Sequence, residues 1–216
     1  MDSSQNNILG WDQLAQKYQD KFMDLSIYND SYDQFCNLIT KNNPSIFEVA
    51  CGPGNVTKYI YSKRPDCILE AIDASPKMIE LAVQNNPGVR FGVMDCRSMD
   101  SIKSTYDAVM IGFCLPYLSY LECSKLVSDI GNMLNENGII YLSFIEGPYS
   151  QSKIESSSDG LTSLFVYYYQ EKDLVELLEK KRFTIIKSIK VPFKKSDGKL
   201  ETHLIILAQY GAFNNK

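Results

Sequence analysis

Ser45-Ile46-Phe47-Glu48-Val49-Ala50-Cys51-Gly52-Pro53-Gly54-Asn55-Val56-Thr57-Lys58-Tyr59-Ile60-Tyr61 is the stretch on which the fold turns. Ile46 to Ala50 is an apolar run that reads as a short buried strand. Gly52-Pro53-Gly54 forces a tight turn: glycine tolerates positive φ and leaves room for a ligand against the backbone, and proline fixes its own φ. Asn55 is the expected N-cap of a helix in which Val56, Tyr59 and Ile60 share a face. Strand, glycine loop and helix make the first βα turn of a nucleotide-binding α/β sheet. The N–H groups of such a loop and helix start are placed to receive a polar ligand.

A dinucleotide fingerprint would need a third glycine where this chain has Thr57. The pattern is instead acid-x-small-x-Gly-x-Gly, carried by Glu48, Ala50, Gly52 and Gly54. It resembles motif I of the class I S-adenosylmethionine-dependent methyltransferases. That family more often has glycine at the place of Ala50, so the backbone there is less free. A strand-ending Glu48 suits a ligand with an ammonium group and is unwelcome beside a pyrophosphate.

Composition sets the outer bounds. The 216 residues suffice for one domain with its own core, and 44% hydrophobic with 22% charged residues is ordinary for a globular protein. A net charge of −4 gives no general pull towards nucleic acid or anionic membrane. The cysteines at 36, 51, 67, 96, 114 and 123 include no CxxC pair, which fits reduced thiols and a cytoplasmic setting. One histidine nearly excludes a histidine-based metal cluster, and no metal is expected. No apolar run approaches the roughly 20 residues that span a bilayer.

Outward from the loop, residues 1–10 read as polar and frayed. Trp11, Leu14, Ala15 and Tyr18 form a helical face, and Asp33 to Thr40 a second helix stopped by Asn42-Asn43-Pro44. Cys67 to Asp73 is a second strand ending in an acid 19 residues after Gly54, where a carboxylate either receives ribose hydroxyls or caps a turn. Ser75-Pro76 starts a helix with Met78, Ile79, Leu81 and Ala82 inward. Val89 to Val93 and Tyr106 to Ile111 are further strands. Ser119 and Glu122 make a capping box for a helix closed by Asn137-Gly138, and Ile139 to Ile145 is the fifth strand. Residues 146–166 are irregular and Ser-rich, and a long loop of this kind is usually functional. Glu171 to Lys181 is amphipathic. Phe183 to Phe193 and Lys199 to Tyr210 are strands joined by Ser196-Asp197-Gly198, a hairpin signal.

The expected architecture is a Rossmann-like three-layer α/β sandwich. Its seven-stranded, mostly parallel sheet ends in a C-terminal antiparallel hairpin, an ending the class I methyltransferase sheet shares. The chain is expected to be one methyltransferase domain over 1–216, with residues 1–44 as a helical lid and 146–169 as a substrate-side insertion. The resemblance covers roughly residues 11–210. The string Trp11-Asp12-x-x-Ala15-x-x-Tyr18 resembles the segment ahead of motif I in many small-molecule methyltransferases, where the tyrosine closes over the methionine end of the cofactor. Packing cover for the sheet edge is the other reading of that helix.

The resemblance implies that S-adenosylmethionine, with S-adenosylhomocysteine as product, is bound by Tyr18, Glu48, Ala50, Cys51, Gly52, Gly54, Asp73, Ala74, Met78, Asp95, Cys96, Gly112 and Phe113. Asp95 and Cys96 stand where the family grips the adenine ring. The methyl would pass in line to a small-molecule acceptor, mainly through positioning. Candidates for a catalytic role are Tyr117, Glu146 and His203, though Tyr117 is equally a core aromatic, Glu146 equally a surface or hinge residue, and a strand histidine such as His203 is more often packed than catalytic. Residues 180–200 hold Lys180, Lys181, Arg182, Lys187, Lys190, Lys194, Lys195 and Lys199 against Asp197 alone. A phosphate-tracking patch for RNA methylation and a solvated hairpin tip are the two readings, and the second is favoured because Cys114-Leu115-Pro116-Tyr117 lacks the Asn-Pro-Pro-aromatic signature of adenine methyltransferases. An NAD-dependent oxidoreductase and a non-catalytic binding module are the remaining alternatives.

Overall fold

The computed structural model describes residues 3–156, 162–195 and 197–211. Two helices, α1 (Ser3–Phe22) and α2 (Asn29–Leu38), precede β1 (Ser45–Val49) and α3 (Asn55–Lys63). β2 (Ile68–Asp73), α4 (Pro76–Asn85), β3 (Arg90–Val93) and β4 (Tyr106–Ile111) follow, then α5 (Tyr120–Met133) and β5 (Leu134–Ile145). A small hairpin of β6 (Lys153–Ser156) and β7 (Ser163–Val166) leads to α6 (Glu171–Lys180), β8 (Phe183–Lys194) and β9 (Leu200–Tyr210).

The main sheet has seven strands in the order β3-β2-β1-β4-β5-β9-β8. β1 to β5 run parallel, and β9 inserts antiparallel between β5 and β8. Both faces are covered, as parallel strands require. Phe47, Val49, Val109 and Ile111 pack with Leu126, Ile130, Leu174 and Leu178 of α5 and α6. Ile46, Ala108, Met110 and Tyr141 pack on the other face with Phe35 of α2 and Ile60 of α3. Period-two alternation along β1 thus sends Phe47 and Val49 to one layer and Ile46 to the other.

Local chemistry explains most boundaries. Ser75 accepts from the Met78 N–H with Pro76 in the first turn, and the Ser119–Glu122 capping box is complete. Elsewhere the reading needs correction. Gly54, at φ 80°, is the N-cap of α3, so Asn55 is its first helical residue. Residues 3–10 belong to α1 because Gly10 lets the helix approach β7: a Cβ there would sit 2.6 Å from Leu164. Asn137, at φ 65°, and Gly138 fall within the bounds of β5. The irregular 146–166 stretch contains the β6–β7 hairpin. Ser196 lies outside the described residues, but Gly198 has the positive φ of 85° that the predicted turn needs. Among the described residues no helix is long and apolar enough to cross a membrane.

Candidate functional site

A cavity of about 300 Å³ opens beyond the carboxyl ends of β1, β2 and β4, where an open parallel sheet places its ligands. A smaller chamber of about 40 Å³ lies against it, walled by Glu48, Cys51, Asn55, Val56 and Tyr32. Tyr18, Phe22, Tyr28, Ala50, Gly52, Gly112 and Phe113 face both.

The glycine loop is shaped by backbone strain and by Asp73. Ala50 and Gly52 both have left-handed φ, 54° and 56°. Such a φ costs an alanine on the order of 1 kcal/mol and costs glycine almost nothing. The Asp73 carboxylate holds the bend: Gly52 N–H donates to Oδ2 at 2.9 Å and Ser75 N–H to Oδ1 at 2.9 Å. Burial pushes the Asp73 pKa up, against those backbone donors. The Ala74 N–H adds a third backbone donor, and since a carboxylate offers about four acceptor sites, room for a further donor remains. The loop amides are not free to receive a ligand, contrary to expectation. Cys51 N–H goes to Ile72 O, Gly52 N–H to Asp73 and Gly54 N–H to Cys51 O.

Glu48 is 1% exposed at the base of the smaller chamber, with the Thr57 hydroxyl donating to it at 2.5 Å. Burial raises its pKa to about 8, and the Asp73 charge adds to the shift. The free protein therefore holds a neutral acid there at neutral pH. Asp95 caps the 3-10 turn after β3 through the Arg97 N–H and pairs with the Arg97 guanidinium, which also reaches Glu122 at 2.5 Å.

The helix α1 lies across both spaces. Asp12 receives the Ser75 hydroxyl at 2.7 Å and the Lys77 N–H at 3.0 Å, tying α1 to the start of α4. Asn7 binds both the N–H and the carbonyl of Phe165, tying the same helix to β7. Between those ties Trp11 meets Tyr18 at 5.4 Å and Tyr117 at 5.1 Å, both edge-on. Burial, then the charges of Asp73 and Glu48, push the Tyr18 phenol up to about 12, so it stays neutral.

The far wall is ionic and aromatic. Lys195 reaches Glu155 at 2.7 Å and Glu201 at 3.0 Å. Tyr168 donates to Glu155 at 2.8 Å. His203 sits beside them, its Nδ1 2.6 Å from the Tyr28 hydroxyl. Glu155, Lys195, Glu201, His203 and Phe193 all line the cavity. Sequence reasoning missed Lys195, Glu155 and Glu201, and it put Lys195 on a solvated tip. The one available signal was period two on β9, which puts Glu201 on the face of His203.

The predicted residues sort as follows. Tyr18, Ala50, Gly52, Asp73, Ala74, Met78, Asp95, Cys96, Gly112, Phe113, Tyr117 and His203 line the cavity, and Glu48 and Cys51 the smaller chamber. Gly54 lines neither. It is a packing glycine, since a Cβ would stand 2.3 Å from Asn86 and 3.3 Å from Ala82 Cα. Glu146 lines neither space and pairs with Lys190 at 2.9 Å. Among the described residues no group of three or more His, Cys, Asp or Glu side chains is arranged to hold a metal ion. The basic stretch is largely paired: Lys180 with Glu176, Arg182 with Glu136, Lys190 with Glu146, Lys195 with two glutamates and Lys199 with Asp197.

A family model described as "Methyltransferase domain" matches residues 46–138, which run from β1 into β5. A putative methyltransferase of Invertebrate iridescent virus 6 is 33% identical over 101 residues, 47% of this chain and 37% of that protein. The chain spans between 19% and 56% of the length of the curated relatives it matches. Among solved structures, the 1,6-didemethyltoxoflavin-N1-methyltransferase of Burkholderia thailandensis, with bound 1,6-didemethyltoxoflavin and S-adenosylhomocysteine, has a TM-score of 0.70. It is 18% identical, and the match covers 95% of this chain and 88% of that one. The [4+2]-cyclase SpnF, 14% identical with a TM-score of 0.66, matches 85% of this chain and 81% of its own. Likeness at these identities shows a shared fold and leaves the reaction to the site.

Proposed function

We propose that this chain, which has the class I S-adenosylmethionine-dependent methyltransferase fold, transfers the methyl group of S-adenosylmethionine to a small-molecule acceptor by in-line displacement. The observation that carries the reading is the set of acceptors at the strand ends. Three acidic side chains, Glu48, Asp73 and Asp95, surround a space roofed by aromatic faces, while the loop amides are already engaged. That set suits a cation bearing hydroxyl groups and an amino-purine. It suits a pyrophosphate poorly, which speaks against the NAD-dependent alternative.

Glu48 takes the ammonium of the amino-acid tail, and Asp73 uses its remaining acceptor capacity for a ribose hydroxyl. Asp95 and Cys96 hold the adenine edge. Gly52 lets the tail pass beneath Tyr18, whose Cε1 is 3.6 Å from where a Cβ would stand. When bound, S-adenosylmethionine supplies an electrophilic methyl on a cationic sulfur. Tyr18, Trp11 and Tyr117 exclude water above it and present electron-rich faces to the cation. α1 is the lid, and the β6–β7 hairpin with the tip of β8–β9 forms the acceptor wall.

Pairing of the basic stretch disfavours the RNA alternative. The test is calorimetric titration with S-adenosylhomocysteine, then labelled-methyl transfer from S-adenosylmethionine to fractionated metabolites with an RNA fraction alongside. Saturable binding with label in a metabolite fraction is expected. No binding would overturn the proposal, label confined to RNA would redirect it, and binding without any transfer would leave a non-catalytic module.

A further inference from the structure

His203 is the only histidine in the sequence, and it is 6% exposed at the acceptor end of the cavity. Its Nδ1 lies 2.6 Å from the Tyr28 hydroxyl and its Nε2 3.8 Å from Glu201 Oε2. Phe193 stacks on the ring at 4.5 Å and Phe113 meets it edge-on at 4.8 Å, so the ring has no room to turn. Phe113 is itself held at a positive φ of 55°, with its N–H on the Ser143 hydroxyl at 2.8 Å. Strain of this kind persists where surrounding structure fixes a side chain in place.

The tautomer follows from the neighbours. A neutral imidazole has one donor and one acceptor nitrogen. Burial pushes the Glu201 carboxyl up, yet the nearby His203 ring and the Lys195 ammonium at 3.0 Å outweigh it and hold the group below its ordinary value. The Glu201 charge, 3.8 Å from Nε2, favours the ring proton on that nitrogen through space. Nδ1 is then the acceptor and the Tyr28 O–H the donor. The Tyr28 oxygen retains lone pairs for another donor, and Tyr28 faces both the main cavity and the chamber below.

We propose that Tyr28, His203 and Glu201 form a proton relay serving an acceptor that carries an N–H or O–H. The proposal rests on the methyl-transfer reading of this cavity. The acceptor's N–H or O–H donates to Tyr28 Oη. As its nitrogen or oxygen forms the bond to the methyl carbon, the bond between methyl and donor breaks and leaves its electron pair on the donor. The acceptor's proton passes to Tyr28 Oη while the Tyr28 proton passes to His203 Nδ1. The product is an imidazolium beside Glu201, which later yields its proton to water. Burial holds the Tyr28 phenol far above its ordinary value, so Tyr28 hands the proton on and does not store it. The other titratable groups facing this unit are Tyr18 from α1, Tyr32 from α2, Tyr117 after β4, Tyr141 from β5, Glu155 from β6, Tyr168 before α6 and Lys195 from the β8–β9 tip.

Because the chain has one histidine, a ring ¹⁵N label reports on it alone. NMR of the full chain loaded with S-adenosylhomocysteine is expected to show the Nε2–H tautomer, with Glu201→Gln mixing the two tautomers. A ring protonated on Nδ1 alone would overturn the relay. With the metabolite fraction that accepts label, Tyr28→Phe and His203→Gln are expected to lower kcat by about 100-fold. S-adenosylhomocysteine affinity is expected to stay within about twofold in both variants. Tyr28→Phe keeps the buried ring, so it tests the relay even where His203→Gln does not fold. Rates within about threefold of the parent in Tyr28→Phe would also overturn it. A parent chain that fails to bind S-adenosylhomocysteine strikes the methyl-transfer reading, and the tautomer still judges the relay.

Discussion

The two ends of the cavity are built in different ways. The strand-end half comes from one unbroken run of crossovers, β1 to β4, and each polar group is fixed by a neighbour close in sequence or across one strand. Asp73 holds Gly52 and Ser75, Thr57 holds Glu48, and Asp95 holds Arg97. The far wall is assembled from Tyr28, Glu155, Lys195, Glu201 and His203, which come from four separate parts of the chain. The first half is set by local turn chemistry and the second by tertiary packing. The first should therefore answer to cofactor binding and the second to acceptor use.

The largest expected effect tests the first half. Asp73→Ala removes the acceptor that fixes the loop and that we propose receives the ribose. Lost charge-assisted bonds of this kind predict S-adenosylhomocysteine binding weaker by about 100-fold. Calorimetry checks it, and affinity within a few fold of the parent would show that the loop, not the carboxylate, carries this half.

Next in size is a pH dependence centred on Glu48. In the free protein its pKa stands at about 8, against an ordinary value of 4.5. The folded state thus holds a proton that the unfolded chain has lost, so the stability of the free protein falls as pH rises from about 4.5 to about 8. A ligand ammonium must displace that proton, so its affinity should rise with pH towards 8, by up to about tenfold per unit. Titrations in buffers of different ionisation enthalpy should register one proton released. Glu48→Gln should abolish both trends, and a rise that persists in it would assign the proton elsewhere.

The smallest effect probes the far wall. Lys195→Met leaves Glu155 and Glu201 facing each other without their shared cation. The acceptor KM should rise about tenfold and stability drop by about 1 kcal/mol, with S-adenosylhomocysteine affinity unchanged. Lost cofactor affinity in this variant would mean that the two ends are not separable.

The same division decides what could be read in advance. The order of strands and helices, the Ser75 and Ser119 caps and the closing hairpin were legible because each is written in a few consecutive residues. So were the positions of Asp73 and Asp95, which follow from where strands end. The Asn55 cap failed because Gly54 takes the left-handed turn one residue earlier. Residues 3–10 looked frayed because the partner of that helical turn, Leu164, is more than 150 positions away. Lys195 looked like one of many surface lysines, since nothing near it in sequence reveals Glu155 across the fold. Ala50 shows the limit from the other side: the pattern flagged a missing glycine, and the structure adds that its φ is 54°.

α1 belongs to neither half and touches both. About 30 Å of rigid rod is pinned to β7 by Asn7 at one place and to α4 by Asp12 at another. Any rocking of that rod changes the ceiling over the strand ends and the spacing of the opposite wall together. The order in which two occupants arrive, and how long each remains, then becomes a shared property. Whatever help the first gives the second, the second must return in equal measure.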